Sequence, residues 1–458
     1  MKSNFKVVRA VTLACLGSAS QLAHATDAFE MEGYGPISRA MGGAATALNI
    51  GAAGMMNNPA TLSLMDQGSE MHLGLDLITT NINVQDLATG QNASSNNHNN
   101  NRGPYFAPEA AYTYHNGPLA LGIGAFAQGG LGTEYGTSSF LSTATGGLAT
   151  GLGNSSRLLV LNIPIAASYQ ISDRLTVGAS LEAIWQGLNL DMLLGADQIG
   201  SLIGSGRANG NLIPVLGGLP DLRGAQLSMT KNQTLGSGVD GWGWGGRIGM
   251  TYKLSNETIL GADYALESKV SDMKGQAILT AVDGIAGQIP LQGTIVVRDF
   301  QMPAKLDVGL SQRLSDQWMM AADLSEVFWR HAMQNINVGF VSDTGGNLNM
   351  LLPQNYKNQT ILSLGAAYQT GNWTLRGGAR IATQALPSNT LLAVIPATPT
   401  KHISAGFSYA ISSQSHVDLA YSHAFKDTMD NTSLPNTSAP IQVSTSENNM
   451  TLAYVHRF

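Results

Sequence analysis

The chain has 458 residues, a net charge of −6 and only 12% charged residues, about half the share of ~25% usual in globular domains. The acidic balance argues against a nucleic-acid binder, which wants a basic face. A mean hydropathy of +0.02 with 53 Gly is too polar for a bundle of membrane helices and too poor in charge for an ordinary soluble enzyme.

In chain order, residues 1–25 come first. They carry Lys2, Lys6 and Arg9, a short apolar run from Ala10, and Ala23-His24-Ala25 as an A-x-A cleavage signal, the pattern of a removed secretory leader. The apolar run falls short of the roughly 20 residues of a spanning helix. The single cysteine, Cys15, lies inside this leader, so the mature chain has no disulfide framework.

Residues 26–67 lack any alternation. Ala40–Leu62 is uncharged and rich in Ala and Gly, and ends at Asn58-Pro59-Ala60; the residue before proline avoids the helical region, so the chain turns there. With no preceding strand and no lysine nearby, the stretch is not a phosphate loop. It reads as a compact coil and short-helix plug.

From residue 68 onward apolar residues recur at alternate positions, as in Leu306, Val308 and Leu310 against Asp307, Gly309 and Ser311. Period two means strands. The expected fold is all-β, a fourteen-stranded antiparallel transmembrane barrel with strands starting near residues 69, 106, 118, 156, 174, 238, 257, 293, 317, 357, 372, 400, 414 and 445. Short polar turns such as "ISDR" and "QTGN" alternate with long loops at 86–105, 194–237, 276–292, 336–354 and 427–442, the asymmetry of an outer-membrane barrel. Tyr169, Tyr252, Tyr264, Trp318, Tyr368, Trp373, Tyr421 and Tyr454 sit near strand ends, where aromatic girdles form. Only closed barrels let strands satisfy their backbone groups in hydrocarbon, and one this wide needs a plug or is a pore.

The segments "GPISRAMGGAATAL", "AGMMNNPATLSLMD", "GGLGTEYG", "GWGWGGRIGMTYKLSNETILGADYALESKVSDMKG", "MPAKLDVGLSQRLSDQWMMAADLSEVFW" and "NYKNQT", in that order, resemble the FadL-type family of long-chain fatty acid and hydrocarbon transporters of Gram-negative outer membranes. The resemblance covers nearly all of residues 29–458. It implies passive uptake of hydrophobic molecules through a barrel at 68–458 closed by a hatch at 26–67. Ligand would be captured among outer loops, pass to a lumen pocket and leave sideways at a kink in the third strand.

Residue by residue, the kink falls at Gly129 and Gly130, and the moving part of the hatch at Asn58, Pro59 and Ala60. The loop 194–237 offers Leu202, Ile203, Leu212 and Val215 for capture, with loop-on-loop packing as the plain alternative for such residues. Phe29 matches an aromatic position that touches ligand. Lys357 matches a lysine that faces a ligand carboxylate, and its parity opposite to Leu362 and Leu364 points it inward. Gln186 or Gly187 replaces the family's arginine, so half of the basic clasp is missing, which favours an uncharged hydrocarbon or aromatic ligand. Arg376 and Arg380 could substitute, or pair with Asp307, Asp323 or Asp418.

No G-x-S-x-G motif occurs, and the His residues show no metal-ligand spacing, so neither an enzyme nor a cofactor or metal is expected. Partners are a hydrophobic small molecule and outer-membrane lipid, with the chain a monomer. A general diffusion porin is the alternative reading.

Overall fold

The computed structural model describes residues 28–96, 104–229 and 238–458. The expected leader at 1–25 lies outside them, as does much of the Asn-rich outer loop.

Alternating sequence becomes one antiparallel sheet that closes on itself. Its first strands are β1 (Gly68–Asp86), β2 (Asn92–Asn96), β3 (Tyr105–Asn116) and β4 (Leu119–Glu134). The last strand, Ile441–Arg457, pairs with β1 from Glu70↔Arg457 to Asp86↔Ile441, and β1 pairs with β3 on its other side. Among the described residues every wall strand has a partner on each side along most of its length, as a hydrocarbon surrounding demands. The outer face carries Leu73, Leu121, Ile165, Leu181, Ile248, Leu324 and Leu364, all exposed. No helix of the described residues is long and apolar enough to cross a membrane. At the short-turn end Trp318 pairs in register with Tyr368 at 4.8 Å and Trp373 with Tyr409 at 4.5 Å between ring centres, so part of the expected aromatic girdle is formed by cross-strand ring pairs.

The sheet as a whole holds 22 strands, more than the fourteen expected of the wall. The surplus lies in segments expected to be loops. Residues 194–237 contain the helices Ala196–Gly204 and Leu212–Gly217 and the strands Ala208–Asn209 and Leu222–Met229. Residues 276–292 fall within the hairpin Met273–Asp283 with Gly287–Arg298, and 336–354 within Asn335–Ser342 with Asn347–Pro353. Of 427–442, only the stretch between Asn431 and Ile441 leaves the ladder. These outer segments carry their own alternation and tight turns, and an unpaired strand edge recruits a partner, so they extend the sheet beyond the wall. The strand expected near 293 is such an extension, pairing with Met273–Asp283 and Asn335–Ser342. The wall position belongs to Lys305–Arg313, between Thr258–Ala265 and Trp318–Val327.

Residues 28–67 fold into short turns of helix, at Gly35–Ala40, Gly51–Ala53, Gly54–Asn57 and Pro59–Leu64, enclosed by inward-facing wall residues. Their small side chains let backbone approach backbone: a Cβ on the wall residue Gly178 would collide with Ala60, and one on Gly261 with the Thr46 carbonyl. Met41, Met55, Met56 and Leu62 fill the remaining gaps and are fully buried, methionine adapting well to irregular spaces.

Polar clasps hold this segment. The Arg39 guanidinium pairs with Asp76 of β1 at 3.0 Å, both side chains buried. Asp323 accepts from the Ala45 and Thr46 amides at 2.7 and 2.9 Å, and Asn58 donates to the Met250 carbonyl at 3.1 Å. A buried pair adds little net stability, but breaking one by removing a partner costs about 3–5 kcal/mol, so these contacts fix position more than they raise stability.

Candidate functional site

Along most of its length β4 is an ordinary wall strand, but its ladder with β3 stops at Ala110↔Ala125. Beyond that point β3 stays with β1 as far as Ile78↔Tyr105, while β4 follows the strand Ser155–Gln170 through an irregularity between Ala127 and Gly129. The freed edge of β4 is satisfied from inside. Gly130 donates its N–H to the Phe29 carbonyl at 2.8 Å, Met31 donates to the Gln128 carbonyl at 3.1 Å, and Glu30 bridges Gly129. The N-terminal segment therefore stands in for the strand that β4 has lost. A Cβ at Gly129 would strike the Phe29 carbonyl, and one at Gly132 the Tyr105 ring, which is why glycine stands at this departure from the ladder.

A cavity of about 410 Å³ occupies the opening, bounded by Tyr105, Phe106 and Ala107 on one side, Gly129 to Gly132 on the other, and Phe29, Ile78, Ile82 and Leu158 within. Its charged groups are mostly acidic: Glu30, Glu32 and Glu447, with Arg157 and His402. Burial would raise the Glu32 carboxyl, but Arg39, His402 and the Ser422 hydroxyl together hold it down at about 2. Ser422 and Asn449 both donate to it, so Glu32 is charged at neutral pH.

Behind the cavity the Phe29 ring is enclosed by three others: Phe300 at 6.2 Å, Trp329 edge-on at 5.5 Å and Tyr356 at 5.8 Å. All four are buried. Gln186 borders this box, its Nε2 donating to the Phe300 carbonyl at 3.4 Å. Phe300, Trp329, Tyr356 and Tyr105 were not singled out from the sequence because they lie outside regular alternation or at its margin. The one signal there is a cluster of aromatics beside strand ends.

Of the basic residues expected to face a carboxylate, none lines this cavity. Lys357 is exposed: its strand begins only at Gln359 and Asn355 takes a positive φ, so parity does not extend back to it, and the neighbouring Tyr356 is the buried residue. Arg376 faces a separate polar chamber of about 470 Å³ at the short-turn end and donates to Ser408 at 2.6 Å, linking through that hydroxyl to Asp418. Arg380 is buried and donates to the Glu32 carbonyl oxygen at 3.1 Å and Ser363 at 3.0 Å, pinning the inner segment. Asp307 and Asp323 are engaged elsewhere, by Lys305 and by the Ala45 and Thr46 amides.

Among the outer segments, Leu202 and Ile203 line an apolar groove of about 130 Å³ together with Ile199, Ile213, Leu216 and Met350. Leu212 is buried against Gly346 and belongs to loop packing, whereas Val215 is 63% exposed on the same helix as Ile213 and Leu216. Asn58 caps the turn Pro59–Leu64 by accepting from the Ala60 amide at 3.0 Å and also donates to the Thr46 carbonyl at 2.7 Å.

The family model described as outer membrane protein transport protein (OMPP1/FadL/TodX) matches residues 14–458. The crystal structure of the Pseudomonas putida toluene transporter TodX is 38% identical, covers 94% of this chain and 99% of its own, and superposes with a TM-score of 0.85. The Ralstonia pickettii toluene transporter TbuX is 44% identical over 93% of this chain and 99% of its own, with a TM-score of 0.80. The long-chain fatty acid transport protein of Salmonella typhi is 23% identical over 58% of this chain, and the match spans 59% of that protein's length.

Proposed function

This chain belongs to the OMPP1/FadL/TodX family of outer-membrane transport proteins, and from that premise we propose that it is a passive channel for small uncharged aromatic hydrocarbons. Ligand enters at the apolar groove around Leu202 and Ile203, reaches the cavity at Phe29, and leaves sideways into the membrane between β3 and β4. Residues 28–67 act as the hatch: their pairing with β4 at Gly129 and Gly130 holds the inner end of the path, and its release, with the Asn58-Pro59-Ala60 turn as anchor, lets ligand through.

The observation that carries the ligand class is the lining of the cavity. The lining is mostly apolar, and its Glu32, charged at neutral pH, repels a carboxylate, since like charges at close range in a poorly solvated site are costly. The two toluene transporters are 38% and 44% identical to this chain, against 23% for the matched part of the fatty acid transporter, which supports the same choice.

Uptake of labelled toluene and of a labelled long-chain fatty acid is compared in cells lacking their own transporters of this family. The channel should speed toluene entry at least about tenfold and fatty acid entry little, and Lys357→Ala should leave both rates within about a factor of two. Faster fatty acid entry that drops in the Lys357 variant would overturn the ligand class.

A further inference from the structure

The aromatic box around Phe29 contains polar atoms that nothing in the structure explains. The Trp329 Nε1, the Tyr356 hydroxyl and the Gln186 Oε1 are each buried and have no hydrogen-bond partner, in residues that are 0%, 1% and 0% exposed. Buried polar groups are nearly always satisfied, and one left unmade costs about 1–3 kcal/mol. Two of these atoms belong to rings packed against Phe29, and the third to Gln186, which is bonded to the backbone of Phe300, another ring of the box. Two of them donate and one accepts, so together they present the complement of a hydroxyl group. The ring that fills the box is Phe29, a benzene ring with no polar substituent to offer.

We propose that this box is a binding site for a neutral aromatic molecule bearing an oxygen substituent, a phenol above all, which replaces the Phe29 ring and satisfies the polar atoms that Phe29 leaves bare. The inference rests on the aromatic-channel reading and extends its substrate class from aromatic hydrocarbons to their hydroxylated relatives. The phenol oxygen accepts from Trp329 or Tyr356, and its hydroxyl donates to the Gln186 amide oxygen. A plain hydrocarbon fills the same space and leaves all three atoms unpaired, as Phe29 does. Sites built to hydrogen-bond a ligand group discriminate strongly against the analogue that lacks it. Because the Phe29 carbonyl also accepts from the Gly130 amide, a ligand that expels the ring loosens the contact between the inner segment and β4.

The test is saturable binding of 4-methylphenol and of toluene to the full-length protein in detergent, each corrected for its partition into empty micelles. The intact protein should hold 4-methylphenol at least about tenfold more tightly than toluene. Tyr356→Phe and Gln186→Leu should each lower 4-methylphenol affinity about tenfold and leave toluene unchanged, whereas Phe29→Ala, which removes the competing ring, should tighten both severalfold. Equal affinity for the two ligands in the intact protein, or a preference that survives both polar substitutions, would mean that buried water satisfies these atoms and would overturn the proposal alone. Absence of saturable binding by either ligand would remove the aromatic-channel reading and this proposal together.

Discussion

Single residues in this protein act by position more than by type. Glu32 illustrates this: just ahead of the helix Gly35–Ala40 and without any motif, it becomes the charged partner of Ser422 and Asn449 and lies within reach of the Arg39 charge. Its carboxyl sits at about 2 against an ordinary 4.5. A depressed acid stabilises the fold at every pH above its unfolded value, and that stability drains away as pH falls from about 4.5 toward 2; a shift of this size amounts to about 3 kcal/mol. A spin label at position 37, within the helix Gly35–Ala40, should therefore become mobile as pH drops through that window. In Glu32→Gln it should be mobile at neutral pH with a flat profile; an unchanged profile would separate the carboxylate from anchoring. Lys357 shows the converse, a residue whose motif is legible but which stands exposed ahead of its strand, where parity no longer sets its face.

At the level of elements, the informative one is β4. Most strands of the wall pair with their neighbours from turn to rim, but β4 exchanges β3 for the inner segment after Ala125. The exchange depends on the absence of a side chain at Gly129. Gly129→Val should drive the Phe29 carbonyl away, so that amide exchange at Met31 and Gly130 quickens at least about tenfold while the strand Trp318–Val327 on the far wall stays protected. Gly200→Ala, at a helical glycine with open space around it, should change neither. Protection retained in the valine variant would mean that the bridge is not what holds the N-terminal segment.

For the molecule as a whole, the balance is between a wall that satisfies its own backbone and an interior held mainly by polar clasps. The apolar clusters lie inside the outer half and around the methionines of the inner segment, whereas Arg39, Asp323, Asn58 and Arg380 tie that segment to separate strands. Such an arrangement lets the wall persist when the interior is removed. Deleting residues 28–67 should leave a barrel that resists detergent and heat on a gel, and should turn a nearly nonconducting protein into an open channel in a planar bilayer. A large conductance already present in the intact protein would favour a diffusion porin instead.

The sequence by itself determined the class of architecture, since period-two alternation, short polar turns and lipid-facing apolar sets are local properties that one strand and its turn express. The glycine-rich segment before the wall is legible because small residues in a row leave a visible mark, whereas the family resemblance, not periodicity, pointed to Gly129 and Gly130, beside which β4 leaves β3. Tertiary structure decided which alternating segments form the wall and which extend it, as with Gly287–Arg298 and Lys305–Arg313, since both carry the same pattern and only their partners differ. It also decided which side chains meet at Phe29: Phe300, Trp329 and Tyr356, with Gln186 bonded to the Phe300 backbone, come from separate parts of the chain and gather only when the sheet closes. Periodicity tells a residue which face it takes, and closure alone tells it what stands across the lumen.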